Sequence, residues 1–198
     1  DKTLEELKKK IEKLLLKVQR PSRYFGGEVG SVVKDKDKVD VRFAFCFPDT
    51  YEVGMSHLGM KILYGLKNAR ENWWCERVFM PEEDYNKLMR ENDIPLYALE
   101  SLDPIKDFDF IGFTLMYELS YNNVLEMLDL AGVPVLAKDR TELTPLVIAG
   151  GPCACNPEPM ADFFDLFILG EGEEVNVELL ELYERMKPLK PTKQEFLR

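Results

Sequence analysis

The chain reads as an α/β protein built on a doubly wound, mostly parallel sheet, and three observations carry that reading. Short runs that are largely apolar on both faces recur: Val41-Arg-Phe-Ala-Phe-Cys46, Phe110-Ile-Gly-Phe-Thr114, Leu146-Val-Ile-Ala149 and Leu166-Phe-Ile-Leu169. A strand buried on both faces marks a parallel sheet covered by helices. Segments with helical spacing alternate with these runs, which calls for right-handed βαβ crossovers. Two of the runs end in glycine, at Gly150-Gly151 and Gly170-Glu-Gly172, on the edge where open α/β sheets bind ligands.

Residues 4–18 set Leu4, Leu7, Ile11, Leu14, Leu15 and Val18 at helical spacing among lysines and glutamates. That is an N-terminal amphipathic helix, ended by Arg20-Pro21. The turn-rich Lys34-Asp-Lys-Asp-Lys38 suggests an irregular stretch or a hairpin, with 30–33 and 39–45 as its arms. The second arm is also the first core strand. A helix is expected from Ser56 or His57 to about Ala69, a strand at 75–80, and a short helix over 81–91. Pro81-Glu-Glu-Asp84 suits the positive end of that short helix. An extended piece at 94–99, a strand at 108–115 and a helix from Ser120 to Ala131 follow, with Ser120 as N-cap. Residues 134–137 suggest another strand. A short helix at 160–164 separates the two glycine-terminated strands, and a last helix runs from 173 to 186. The strands near 41–46, 109–115, 146–150 and 166–169 are expected to be central.

The composition narrows the function. With 198 residues and 45% hydrophobic content, the chain can hold one α/β domain and an appendage. No apolar run approaches a membrane span. A net charge of −10 argues against a nucleic-acid surface, which needs clustered Lys and Arg. Cys46, Cys75, Cys153 and Cys155 show no CxxC spacing, and His57 is the single histidine, so no zinc set is expected. Reduced thiols and a cytoplasmic location follow. Gly170-Glu-Gly172 is not a GxGxxG fingerprint, and its acidic neighbours disfavour a dinucleotide pyrophosphate.

Three stretches carry a resemblance. Asp49-Thr-Tyr-Glu-Val-Gly54 leaves the first strand, Thr114 ends a middle strand, and Gly150-Gly151 ends a later one. Together they resemble the Rossmann-like cobalamin (B12)-binding domain, with Tyr51 where that family has its cobalt-coordinating histidine and Thr114 where it has serine. Gly150-Gly-Pro-Cys-Ala-Cys-Asn-Pro-Glu158 and Asp165-Leu-Phe-Ile-Leu-Gly-Glu-Gly-Glu173 resemble the N-terminal domain of class B radical S-adenosylmethionine (SAM) enzymes, over roughly residues 20–187. Phe47-Pro-Asp-Thr-Tyr-Glu-Val-Gly-Met-Ser-His-Leu-Gly59 and Tyr117-Glu-Leu-Ser-Tyr121 are similar to an uncharacterised branch of that family.

The resemblance implies a helix over 1–22, a cobalamin-binding-like domain over 23–187, and a linker over 188–198 toward a C-terminal radical SAM domain. It implies Asp49, Tyr51, Gly54, Thr114, Gly150, Gly151, Gly170, Glu171 and Gly172 as cofactor-binding residues, with no metal ligand and no catalytic residue in this chain. The CxxxCxxC cluster motif is absent from the sequence. The [4Fe–4S] cluster and SAM therefore belong to the C-terminal domain, the expected partner of this one. Corrinoid-dependent methyl transfer is the activity the resemblance suggests for the intact enzyme. Two other readings stay open: a degenerate domain without corrinoid that positions substrate or docks on the radical SAM barrel, and a flavodoxin-like or nucleotide-binding enzyme.

Overall fold

The computed structural model describes residues 2–198. In chain order the elements are α1 (Lys2–Leu15), β1 (Val41–Phe47), α2 (Tyr51–Ser56), α3 (Leu58–Asn68), β2 (Trp73–Phe79), α4 (Glu83–Glu91), β3 (Phe110–Thr114), α5 (Tyr121–Leu130), β4 (Leu146–Gly150), β5 (Leu166–Phe167), α6 (Gly172–Met186) and α7 (Lys193–Phe196). The strands form one parallel sheet in the order β2-β1-β3-β4-β5. The order reverses between β1 and β3, which makes that junction the topological switch point.

The two-residue alternation of each strand decides which helices cover which face. Phe43, Phe45 and Phe47 share one face with Phe110 and Ile148, under Met60 of α3 and Leu180 and Tyr183 of α6. Ala44, Cys46, Ile111, Phe113, Val147 and Ala149 form the other face, packed with Ile11 of α1, Met89 of α4, and Val124 and Met127 of α5. The expected doubly wound α/β fold with an N-terminal helix is the one observed. Among the described residues no helix is long and apolar enough to cross a membrane.

Every residue of the edge strand β2 is buried, because two loops lie along its open side. The Leu99 amide donates to the Arg77 carbonyl, and the Trp74 indole donates to the Val32 carbonyl. Lys34 Nζ donates to the carbonyls of Asn68 and Arg70, near the end of α3. Residues 30–33 are therefore a covering loop and not a hairpin arm. Residues 94–99 form no strand of the sheet; their one bridge is the isolated pair Tyr97 and Pro104.

Residues 134–137 are not a strand either. The buried Arg140 guanidinium takes the Pro134 and Val135 carbonyls, at 2.6 and 3.1 Å, before any ladder can. The helix expected from Ser56 or His57 to about Ala69 is α3, with His57 as N-cap and Ala69 as C-cap; a further short helix, α2, precedes it, and the extended backbone of His57 (ψ 114°) separates the two. Ser120 holds the N-cap position of α5 without capping it, and its hydroxyl donates back to the Tyr117 carbonyl at 2.8 Å. The short helix expected at 160–164 is a 3-10 turn, Glu158–Met160. β5 is an edge strand of two residues and not a central one.

The tail folds back over its last turn. Thr192 and Glu195 form a capping box at the start of α7, and Phe196 is buried edge-on against Tyr183. Lys193 Nζ reaches Asp165 Oδ1 at 2.6 Å.

Candidate functional site

At the carboxyl ends of β1, β3 and β4, between the sheet and the α3–α6 pair, lies a cavity of about 260 Å³. The alternation explains where it comes from. Gly112, Thr114 and Gly150 occupy cavity-side positions, and two of the three carry no side chain. Phe43 and Phe45 form the floor with Ile148, Met60 and Leu63 of α3 form one wall, and Ile168 and Asn176 form the other. At Gly112 a Cβ would fall 2.4 Å from the Phe43 ring, so glycine there lets the floor pack. At Gly150 a Cβ would meet nothing closer than Ile168 at 3.9 Å, so its missing side chain leaves open space.

The residues expected at a cofactor site divide into two groups. Thr114, Gly150, Gly151, Gly170 and Gly172 all line this cavity, whereas Asp49, Tyr51, Gly54 and Glu171 lie outside its lining. Asp49 accepts the Tyr117 hydroxyl and the Thr50 amide, tying together the loops after β1 and β3. The Tyr51 hydroxyl donates to Glu28 Oε1 at 2.7 Å, and burial together with that carboxylate pushes the phenol up to about 12. Gly54 is a packing glycine: a Cβ would lie 2.1 Å from the Phe79 ring. Glu171 sits exposed at the N-cap of α6 and makes no capping bond.

Within the first group the glycines differ. Gly151 has φ +94°, and its Cβ would lie 2.8 Å from the Leu115 carbonyl oxygen, so backbone packing requires it. Gly170 needs glycine for its φ of +88° alone, with no neighbour within 4 Å of a Cβ. Thr114 Oγ1 has only the Met116 thioether, at 3.6 Å, and remains available to a ligand.

Three polar residues of this lining, His57, Glu173 and Asn176, lie outside the cofactor set expected from the sequence. His57 caps α3, its Nδ1 accepting the Met60 amide at 3.1 Å. Its ring lies 5.3 Å from that of Phe47, and a Cβ on Gly59 would come within 2.9 Å of Cε1. Asn176, only 6% exposed, donates Nδ2 to the Gly172 carbonyl at 2.6 Å. The local signal for it was the four-residue spacing to Gly172 at a helix start.

Of the four cysteines, Cys46 and Cys75 are buried, Cys153 is half-buried against the α5 side of the core, and Cys155 is exposed. Among the described residues no group of three His, Cys, Asp or Glu side chains is placed to hold a metal ion.

Fold and cavity together define a doubly wound α/β domain with an apolar slot beside its switch point. Residues 59–198 match the family described as radical SAM proteins, N-terminal, and the chain belongs to that family. It is 31% identical over 139 residues to an uncharacterized protein of Methanocaldococcus jannaschii, an overlap covering 69% of this chain and 25% of that protein. The chain thus spans about a quarter of the length of this curated relative. No solved structure matches it.

Proposed function

We propose that this chain is the corrinoid-holding N-terminal domain of a radical SAM enzyme, and that the slot receives the nucleotide tail of the corrinoid. The supporting observation is the size and form of the cavity. Clefts that enclose a whole drug-sized ligand run to about 300–1,000 Å³, and this one has about 260 Å³. It suits one ring system at the end of a larger molecule, entering beside Gly150 while the remainder lies across the carboxyl edge. The apolar floor of Phe43, Phe45 and Ile148 suits an aromatic ring, and Thr114 offers a hydroxyl at the mouth.

A bound corrinoid supplies a cobalt centre able to carry a methyl group. This chain's part is to hold and orient it without a protein ligand to the metal. Tyr51 is committed to Glu28, and its phenol, at about 12, stays protonated near neutrality. His57 spends its Nδ1 lone pair on the Met60 amide, which leaves its proton on Nε2 and no free nitrogen lone pair for cobalt. On this reading the [4Fe–4S] cluster, SAM and the chemical step belong to the remainder of a longer protein. That portion docks at the edge where Leu58, Leu119 and Leu169 are exposed.

Hydroxocobalamin titration tests the reading. Binding is expected to change the corrin absorption spectrum toward a form without an imidazole ligand, and the bound spectrum is expected to be the same in His57→Ala. Gly150→Val should weaken binding about tenfold or more by filling the open space, with little change in the unfolding midpoint. No spectral change at near-millimolar corrinoid would remove the proposal in favour of a domain that positions substrate or docks on the barrel.

A further inference from the structure

Beside the exposed carboxylate of Glu173, two fixed side chains of the lining, His57 and Asn176, each leave one polar atom without a partner in the protein, and the two atoms are of opposite kind. Nδ1 of His57 accepts the Met60 amide, so the neutral ring carries its proton on Nε2, an unpaired donor. The Asn176 amide is oriented by the Gly172 carbonyl, which takes Nδ2 at 2.6 Å. A flipped amide would set two oxygens against each other, so Oδ1 is an unpaired acceptor on a side chain only 6% exposed. Both residues are fixed by more than rotamer preference. The His57 ring is held by its cap, by Phe47 and by the closeness of Gly59. Asn176 is held by its bond back to Gly172 in the first turn of α6.

An apolar slot with a preset donor and acceptor recognises more than flatness. A site built to pair polar groups discriminates against analogues lacking them, because its own atoms are then desolvated without partners. We infer that the slot selects a planar heterocycle bearing both a hydrogen-bond acceptor, met by Nε2–H of His57, and a donor, met by Oδ1 of Asn176. An aminopurine-type base satisfies both requirements; a dimethylbenzimidazole offers a ring nitrogen but no donor, and a plain phenyl ring offers neither. This rests on the proposal that the cavity takes a ring system. The ring can be the tail base of a corrinoid or a free nucleoside.

Calorimetric titration with three cobamides that differ only in the tail base (adenine, 5,6-dimethylbenzimidazole and p-cresol), and with free adenosine, tests the inference. The expected order is adenine tightest and p-cresol weakest, with about five- to tenfold per lost hydrogen bond. Asn176→Leu removes the acceptor. His57→Asp keeps a side-chain oxygen for the α3 cap and carries no N–H donor. Each is expected to compress the order while thermal unfolding stays cooperative. Equal binding of the three cobamides, or an unchanged order in both variants, would overturn the inference and leave the corrinoid proposal standing. Binding of adenosine alone, weakened in both variants, would support the inference and remove the corrinoid. Binding of none of the four would remove both.

Discussion

Replacing Arg77 with methionine is expected to cost about 3–5 kcal/mol of stability, the usual penalty for leaving one side of a buried ion pair without its counter-charge. Arg77 sits on β2 with its guanidinium between Glu100, Nε to Oε1 at 2.6 Å, and Glu28, at 2.8 Å. The Glu100 side chain is fully buried and also accepts the Arg77 amide and the Tyr64 hydroxyl. Burial already pushes the Glu100 carboxyl up despite the guanidinium. Without the cation, two carboxylates share a desolvated site. Glu28 also holds Tyr51 at the first turn of α2, so the loss reaches the helix pair that sets His57 at the cavity. Urea unfolding at neutral pH reads the cost. Adding Glu100→Gln to the variant should return a large part of it, and a cost below about 1 kcal/mol would show that the network is exposed in solution.

Lys67→Met should act in the opposite direction. Lys67 lies on α3 behind the cavity floor, 1% exposed, with no hydrogen-bond partner for Nζ. The ammonium lies 4.6 and 5.0 Å from the rings of Phe43 and Phe45. These contacts offset only part of the desolvation, because burial lowers the amine from 10.5 to about 8. Below about pH 8 both folded and unfolded chains hold the proton, and the folded state carries the whole cost of the buried charge. Between about 8 and 10.5 only the unfolded chain holds it, so stability gains from this group as pH rises. Methionine is expected to add about 1–3 kcal/mol at pH 7, with an advantage that shrinks as pH climbs from 8 to 10. Burial pushes the Cys75 thiol up to about 12 against the lowering effect of Lys67, and loss of Lys67 raises it further, so below pH 10 the thiol is protonated in both folded chains and drops out of the comparison. A difference constant with pH would contradict the assignment of the cost to the ammonium.

Much of the sheet is readable in the chain because β1, β3 and β4 are apolar on both faces, a pattern that solvent-facing strands do not produce. The errors arise where long-range partners decide. Residues 134–137 have strand composition, yet Arg140 and the Asp162 carbonyl satisfy their backbone. Residues 30–33 form no strand because side chains take their backbone groups, the Val32 carbonyl accepting the Trp74 indole and the Val32 amide donating to the Tyr64 hydroxyl.

At the site, Thr114, Gly150, Gly170 and Gly172 were legible as strand ends meeting glycine, and the cavity gathers them. Tyr51 and Gly54 were selected by motif position, while the packing against Glu28 and Phe79 gives them other work. His57 and Asn176 were not legible as a donor and an acceptor. Which nitrogen of His57 is free depends on the cap it makes, and which end of Asn176 is free depends on the Gly172 carbonyl.

Whether a corrinoid tail enters the slot is tested most directly by methyl-resolved NMR of the chain with saturating hydroxocobalamin. The methyl groups of Leu63, Ile148 and Ile168 line the cavity, whereas those of Val124, Leu128 and Val147 pack on the opposite face of the sheet. Tail insertion predicts ring-current shifts of the first three with the second three unmoved. Cavity methyls unchanged at saturation, or shifts confined to the opposite face, would contradict it.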